Sequence, residues 1–512
     1  MKHIKKLASL LLAVVMILAL ATTAFATGAS NPTTYAITVD TTNDAAPHTY
    51  KVYQIFTGTP SEGTQLTDLK YGTSYKDHTG AVPESELTAI GTGDAAARAF
   101  AKKLVDDGLL GPEVATLNGT TTSYNAVPGY YLVLDTAYTS TATTNDAYSA
   151  FLLKVVNAAT EFAPKKNVPT VDKQVQDETA DKDTKSTDTN GWGDTADHAI
   201  GETFKFKLTA TIPADANLKY YDAYQVQFND TLSNGVVFEK IDSVVVNGTS
   251  LTASDYTLSN NAVSGLTNGT WTLKIADIKQ IGSVDLGTGA VTITVEYSAH
   301  LNKDAYVNHT SGTTTNQNKV SLTYSNNPDA TGSGTTDTTP EKAVWVFTYE
   351  VDNTKKDASG NPVSNAGFTL KQGDNTISLY KIGTDYYVYD SAKATEYTGG
   401  EMVNEIITTS TGVFNIKGLD TGVYTLTETK VPTGYVKAQD VTITVAADHT
   451  VTDGSPVVDL STSSGLTNNI VNYTGATLPS TGGIGTTIFY VTGAVLALGA
   501  GILLITKRRM NR

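Results

Sequence analysis

The fold class predicted by the sequence is all-β, a string of immunoglobulin-like sandwich domains, and two observations predict it. Apolar residues recur with period two: Phe204, Phe206 and Leu208 alternate with Lys205 and Lys207, Val291, Ile293 and Val295 with Thr292 and Thr294, and Val441, Ile443 and Val445 are spaced alike. Such alternation marks half-buried strands. Helical spacing is clearest in one short stretch of the interior, Asp94 to Asp107, where Ala96, Phe100 and Leu104 share a face and Gly108 supplies the stop. Strands without interleaved helices indicate sheet packed on sheet.

The chain opens with a basic segment, Met1 to Lys6, followed by the apolar run Leu7 to Ala21 and the small-x-small triplet Ala24-Phe25-Ala26. This three-part layout is that of a secretory signal peptide spanning 1–26, with the mature chain beginning near Thr27. The remaining length suits about three domains of common size. Two composition shifts divide it. One is Ala163-Pro164-Lys165-Lys166-Asn167-Val168-Pro169; the other, Asn327 to Pro340, lacks any large apolar residue. Domains are therefore expected at 27–165, 166–340 and 341–477.

The sequence contains no cysteine, so disulfides cannot stabilise the exported chain. Its formal net charge is −15, and loss of seven basic residues with the two terminal segments takes this to −22. That field argues against a nucleic-acid partner. Seven histidines are scattered, and neither an HExxH nor a GxSxG pattern occurs. An ordinary enzyme is not expected, and no cofactor or metal is implied. The acidic stretch Gln176 to His198 lacks the ligand spacing of an EF-hand.

Strand phase picks out charged residues that point inward. Glu428 shares a face with Tyr424 and Leu426, and Asp230 continues the face of Tyr224, Val226 and Phe228. Lys173 lies between Val171 and Val175, and the run Trp345, Phe347, Tyr349, Val351 leads in phase to Lys355. Asn318 is in phase with Val320 and Leu322, and Asn472 with Ile470. The second and third domains thus each carry an inward Lys on the first strand, an inward acid in the middle and an inward Asn on the last strand. Two readings fit phase alone. One is a buried salt bridge hydrogen-bonded to an Asn. In the other, a neutral amine attacks the Asn amide with help from a protonated acid, forming a Lys-Asn amide that ties first strand to last.

Resemblance separates the two. The segment from Tyr424 through Glu428, Pro432, Gly434 and Tyr435 resembles the YxLxETxAPxGY box of CnaB-type pilin domains, whose Glu is the isopeptide catalyst. Lys355-Lys356-Asp357 with Gly360 and Gly367-Phe368-Thr369-Leu370 is similar to the opening of that domain, with Gly367 at a usual Ala. Two adjacent lysines leave the reactive one open; strand phase favours Lys355. Val171-Asp172-Lys173, Asn229-Asp230-Thr231-Leu232 and Asn318-Lys319-Val320 resemble the CnaA-like domain of backbone pilins. Tyr50 to Phe56 and Gly129 to Leu132 resemble the same proteins' N-terminal domain, though no trio is visible there. The resemblance implies cross-links Lys173–Asn318 and Lys355–Asn472, with Asp230 and Glu428 as autocatalytic acids.

At the C-terminus, Leu478, Pro479, Ser480, Thr481 and Gly482 precede the uncharged stretch Ile484 to Thr506 and the basic residues Lys507, Arg508, Arg509 and Arg512. The stretch is long enough to cross about 30 Å of hydrocarbon, and the basic tail would stay cytoplasmic. Motif, span and tail, 478–512, resemble a cell-wall sorting signal, which sortases cleave between Thr481 and Gly482. In the family the acceptor amine lies in a YPK-type motif ending the first domain, here Phe162-Ala163-Pro164-Lys165. Lys166 is the neighbouring candidate, and a plain basic linker is the other reading. The resemblance implies a sortase-assembled pilus backbone on a Gram-positive wall, with a class C-type pilus sortase, a housekeeping sortase, other copies of the chain, accessory pilins and peptidoglycan as partners. The alternative is a monomeric wall-anchored adhesin or an accessory pilin; no host ligand is legible.

Overall fold

The computed structural model describes residues 33–510, apart from 41–47, 63–64, 91–93, 139–149, 163–167, 179–187, 215–220, 260–263, 283–288, 328–331 and 476–483. Residues 1–26, expected to be a signal peptide, lie outside the described residues.

In the N-terminal region, Tyr35–Val39 pairs antiparallel with Ser123–Ala126 and parallel with Thr160–Phe162. A second sheet runs in the order Leu66–Tyr71, His48–Pro60, Gly129–Tyr138, Ala150–Val155, with Ala115–Asn118 also on His48–Pro60. The expected helix forms as Asp94–Asp106, ahead of Gly108 in the left-handed region. Its Phe100 and Leu104 are buried against Phe56, Tyr75 and Tyr130. A shorter helix, Glu84–Ile90, precedes it.

Residues 170–347 form a two-sheet sandwich. One sheet has the order Trp192–Gly193, Thr170–Gln176, Thr203–Ile212, Val291–Leu301, Val236–Val246, Thr249–Ser250. The facing sheet runs Thr195–Asp197, Lys342–Phe347, Asn316–Ser325, Val226–Leu232, Gly269–Ile275, Thr257–Leu258, with Thr336–Thr338 also on Asn316–Ser325. The alternation of Thr203–Ile212 is realised directly: Phe204, Phe206, Leu208, Ala210 and Ile212 are buried and the intervening residues are not. These residues meet Trp271, Leu273 and Leu322 of the facing sheet in one core.

The third sandwich pairs a sheet ordered Glu401–Val403, Leu379–Ile382, Asp385–Val388, Val413–Leu419, Tyr349–Asp357, Thr467–Thr474, Tyr435–Val436 with a smaller one ordered Asn375–Thr376, Gly367–Gln372, Gly422–Lys430, Val441–Val445. Ile406–Ile407 also pairs with Gly367–Gln372. The chain ends in the helix Ile484–Met510, of which Thr487–Met510 is long and apolar enough to cross a membrane.

The run expected to open the third domain is divided between the two sandwiches. Lys342–Phe347 pairs with Asn316–Ser325 in the second, whereas Tyr349–Asp357 lies between Val413–Leu419 and Thr467–Thr474 in the third. Only Thr348 separates them. Side-chain phase changes just before it, between Val346 and Phe347: Val344 and Val346 enter the second core while Trp345 stays half-buried, and Phe347, Tyr349 and Val351 enter the third.

The junction is densely bonded. Ile200 N donates to Gly418 O (3.0 Å), and Gly312 and Val458 exchange backbone hydrogen bonds. Tyr380 and Tyr397 of the third sandwich pack into the second core. His300 sits between Glu239 and Glu396, 2.8 Å from each. Gly418 is required here: its φ is +84°, and a Cβ would lie 2.4 Å from Ile200 Cδ1. Gly418→Ala should therefore cost roughly 1–3 kcal/mol, read as a lower thermal midpoint and faster proteolysis near residue 418. An unchanged midpoint would show that the junction yields freely.

Candidate functional site

Each of the two later sandwiches buries a lysine, an acid and an asparagine at one point in its core. In the second, Lys173 extends from Thr170–Gln176 across the gap between sheets. Asp230 and Asn318 come from adjacent strands opposite: Asp230 registers with Val320 and Leu232 with Asn318, so the two are diagonal neighbours on the inner face. All three are fully buried. Lys173 Nζ contacts Asp230 Oδ2 directly and donates to Tyr297 Oη at 3.1 Å. The ammonium position also lies 4.8 Å from the Phe206 ring centre and 5.2 Å from that of Tyr297.

Tyr297 is a fourth member that strand phase did not single out. Its hydroxyl donates to Asp230 Oδ1 (3.0 Å) and accepts from Asn318 Nδ2. In the sequence it continues the apolar face of Val291, Ile293 and Val295 and reads as an ordinary core aromatic.

In the third sandwich the trio is assembled differently. Lys355 and Asn472 lie on neighbouring parallel strands of one sheet, with Lys355 opposite Ile470 and Asp357 opposite Asn472. Glu428 reaches in from Gly422–Lys430 of the other sheet. Lys355 Nζ is 3.8 Å from Glu428 Oε1 and donates to Ile470 O at 3.2 Å. Asn472 Nδ2 donates to Glu428 Oε2 at 3.0 Å, and the Ala438 amide donates to the same oxygen at 2.6 Å. Lys355 is fully buried, whereas Lys356 points outward and donates to Asn469 Oδ1 at 2.7 Å. Only Lys355 of the adjacent pair is thus in reach of the acid.

Burial lowers the Lys173 pKa to about 8, against the opposing pull of Asp230. The same desolvation raises Asp230 above the usual carboxylate range despite Lys173. Lys355 is lowered by burial too, with Glu428 opposing. In the second sandwich the two shifts together favour the neutral pair of amine and carboxylic acid, which is the proton distribution an amide-forming reaction requires. In each trio the Asn amide nitrogen is hydrogen-bonded while its carbonyl oxygen, buried, has no partner among the described residues. That oxygen is where a proton-bearing acid would bind and polarise the amide.

Lys165, Lys166 and the sorting motif Leu478 to Gly482, with Thr481, lie outside the described residues. Their flanks are described: Thr160–Phe162 ends just before the first, and the helix Ile484–Met510 follows the second.

Comparison with known proteins agrees with this architecture. Residues 350–455 match the family model of the SpaA prealbumin-like fold domain, and residues 470–512 match that of the LPXTG cell wall anchor motif. The chain therefore carries a cell wall anchor. Among solved structures it is similar to the T6 backbone pilin of serotype M6 Streptococcus pyogenes, with 17% identity over 87% of this chain and 100% of that one and a TM-score of 0.56. The full-length major pilin SpaD from Corynebacterium diphtheriae also aligns, at 15% identity over 87% and 98% with a TM-score of 0.46. At these identities the likeness to the T6 pilin is one of fold. No curated protein matches the chain.

The Tyr297 hydroxyl bridges all three polar partners of the second-sandwich site. Tyr297→Phe keeps the ring packing and removes those bonds, leaving buried polar atoms unpaired at about 1–3 kcal/mol. Denaturant unfolding should show that loss, and an unaltered midpoint would mean the hydroxyl is not integrated in the cluster.

Proposed function

We propose that this chain is the repeating backbone subunit of a covalently polymerised, sortase-assembled pilus, stabilised internally by two Lys-Asn isopeptide bonds. The observation that carries the reading is the pair of buried Lys/acid/Asn clusters, one in each of two successive sandwiches upstream of a wall anchor. A buried charged trio is weak as a stabilising device, because desolvation cancels most of its attraction. The same trio is well suited to a single chemical event.

The neutral Nζ of Lys173 or Lys355 attacks Cγ of Asn318 or Asn472. Asp230 or Glu428, carrying a proton, binds the amide oxygen and then relays protons to the departing nitrogen. The C–N bond to the Asn nitrogen breaks, a new amide forms, and one ammonia leaves. A pKa near 8 keeps roughly a tenth of the Lys173 amine neutral at pH 7, enough for an irreversible intramolecular step. The acid is needed to make the bond and not to keep it.

Polymerisation joins the sorting motif of one copy to the segment after the first domain of another. A sortase thiolate cleaves the Thr481–Gly482 amide and holds Thr481 as a thioester. The Lys165 amine of another copy attacks this thioester and regenerates the thiol. Pro164 has no amide hydrogen to enter a sheet and restricts the residue before it to extended conformations, which suits a lysine that must be reached by an enzyme. A class C-type sortase would repeat that step, and a housekeeping sortase would finally hand Thr481 to peptidoglycan.

Tryptic mapping of the chain purified from envelopes should join Lys173 to Asn318 and Lys355 to Asn472, each with loss of one ammonia. Glu428→Ala should abolish the second link only, and lower stability by roughly 3 to 5 kcal/mol by analogy with a disulfide closing a long loop. Recovery of both lysines in unmodified peptides from the wild-type chain would refute the cross-links.

Assembly has its own test. Lys165→Ala should eliminate the detergent-resistant high-mass ladder from wall extracts while the monomer is still anchored, and Lys165→Arg should fail equally because a guanidinium stays protonated. Lys166→Ala should polymerise normally. A ladder surviving loss of both lysines would exclude this segment as acceptor, and absence of any ladder in the wild type would leave a monomeric adhesin.

A further inference from the structure

We propose that Asp177, Asp197 and His449 form a binding site for one divalent transition-metal ion of the zinc class, bridging the second and third sandwiches. The three come from separate elements. Asp177 directly follows the Lys173 strand, Asp197 ends Thr195–Asp197, and His449 lies in the third-sandwich hairpin Asp448–Thr452. All are buried, and one ligand atom from each lies within 4.8 Å of the others. His449 Nε2 and Asp177 Oδ2 are 3.0 Å apart, close to the spacing of adjacent ligands that each sit about 2.0–2.2 Å from one zinc.

A second, independent observation points to a ligand. Asp197 Oδ1 is buried without a hydrogen-bond partner, although its other oxygen accepts from the Tyr349 hydroxyl at 2.5 Å. A buried carboxylate oxygen without a partner is costly unless a proton or a cation meets it.

The surroundings orient the set as supporting groups do around metals. Thr195 Oγ1 lies 2.8 Å from His449 Nδ1, which turns Nε2 toward the carboxylates. Asp177 is held by the Glu178 amide on Oδ1 (2.8 Å) and the Asp197 amide on Oδ2 (3.2 Å). Gly191 allows this backbone approach: at φ +83° its Cβ would fall 1.9 Å from Asp177 O. Calcium would call for six to eight oxygen ligands, whereas an imidazole with two carboxylates is a nitrogen-and-oxygen set suited to zinc. The neighbouring His198, Glu202 and Asp420 converge as well. Only His198 of that set is buried, whereas all three of Asp177, Asp197 and His449 are, so the latter is the more enclosed site.

The test uses the full chain in detergent, stripped with EDTA and titrated with zinc chloride, with bound metal counted by mass spectrometry after desalting. One zinc per chain is expected, with one imidazole nitrogen among oxygen ligands in its X-ray absorption spectrum. His449→Ala and Asp197→Asn should each weaken binding at least tenfold, while His78→Ala, in the N-terminal region, should bind as the wild type does. Absence of stoichiometric binding by the wild-type chain, an all-oxygen shell, or undiminished affinity in a folded His449→Ala chain would overturn the site and leave His449 as a proton-carrying partner of Asp177. If both variants fail to fold, the wild-type stoichiometry and shell composition decide alone.

Discussion

Removing a lysine amine from water is the constraint on which the cores of the two later sandwiches depend. Lys173 and Lys355 are fully buried, and an isolated ammonium in such a place would cost many kcal/mol. Everything around each of them answers that cost. In the second sandwich two aromatic rings and a tyrosine hydroxyl surround the amine beside Asp230. In the third, a main-chain carbonyl and Glu428 do so. Salt bridging is an incomplete answer, since both partners are desolvated together. The proposed amide is a complete one, because it removes the charge, the proton and the demand for a counter-ion at once.

The two clusters solve the same problem with different topology. Lys173 faces its asparagine across the sheet-to-sheet gap, so a bond there would clamp the layers of the sandwich. Lys355 and Asn472 are on adjacent parallel strands, so a bond there would lie within one sheet, with the acid arriving from the other layer. Similar residue types therefore constrain different degrees of freedom in the two domains.

Much of this was legible from period two alone, because an inward-pointing charge on an amphipathic strand is a contradiction that demands a partner. Lys173, Asp230, Asn318, Lys355, Glu428 and Asn472 were all found in that way, and the structure brings them together as two clusters. Tyr297 was not, since a tyrosine in core phase looks like packing and only the third dimension shows where its hydroxyl points. The junction was opaque for another reason. Val344 to Tyr349 is almost uniformly apolar, which hides the change of phase between Val346 and Phe347 and makes two strands read as one. Asp177 and Asp197 meet within the second sandwich, but they share no sequence pattern with His449, which joins them only through the docking of the two domains.

The strand pairing of the third sandwich also decides how it would respond to being pulled. The chain comes in along Tyr349–Asp357 and leaves along Thr467–Thr474, and these strands are parallel neighbours in register from Asp352 with Thr467 to Asp357 with Asn472. Traction applied at the two ends of the domain would slide one strand along the other. Their ladder would then be stressed in shear, with its rungs sharing the load, where an antiparallel pair pulled from one end would peel open rung by rung. Strand order alone thus sets this domain to meet tension along its own chain in shear, before any covalent link is counted.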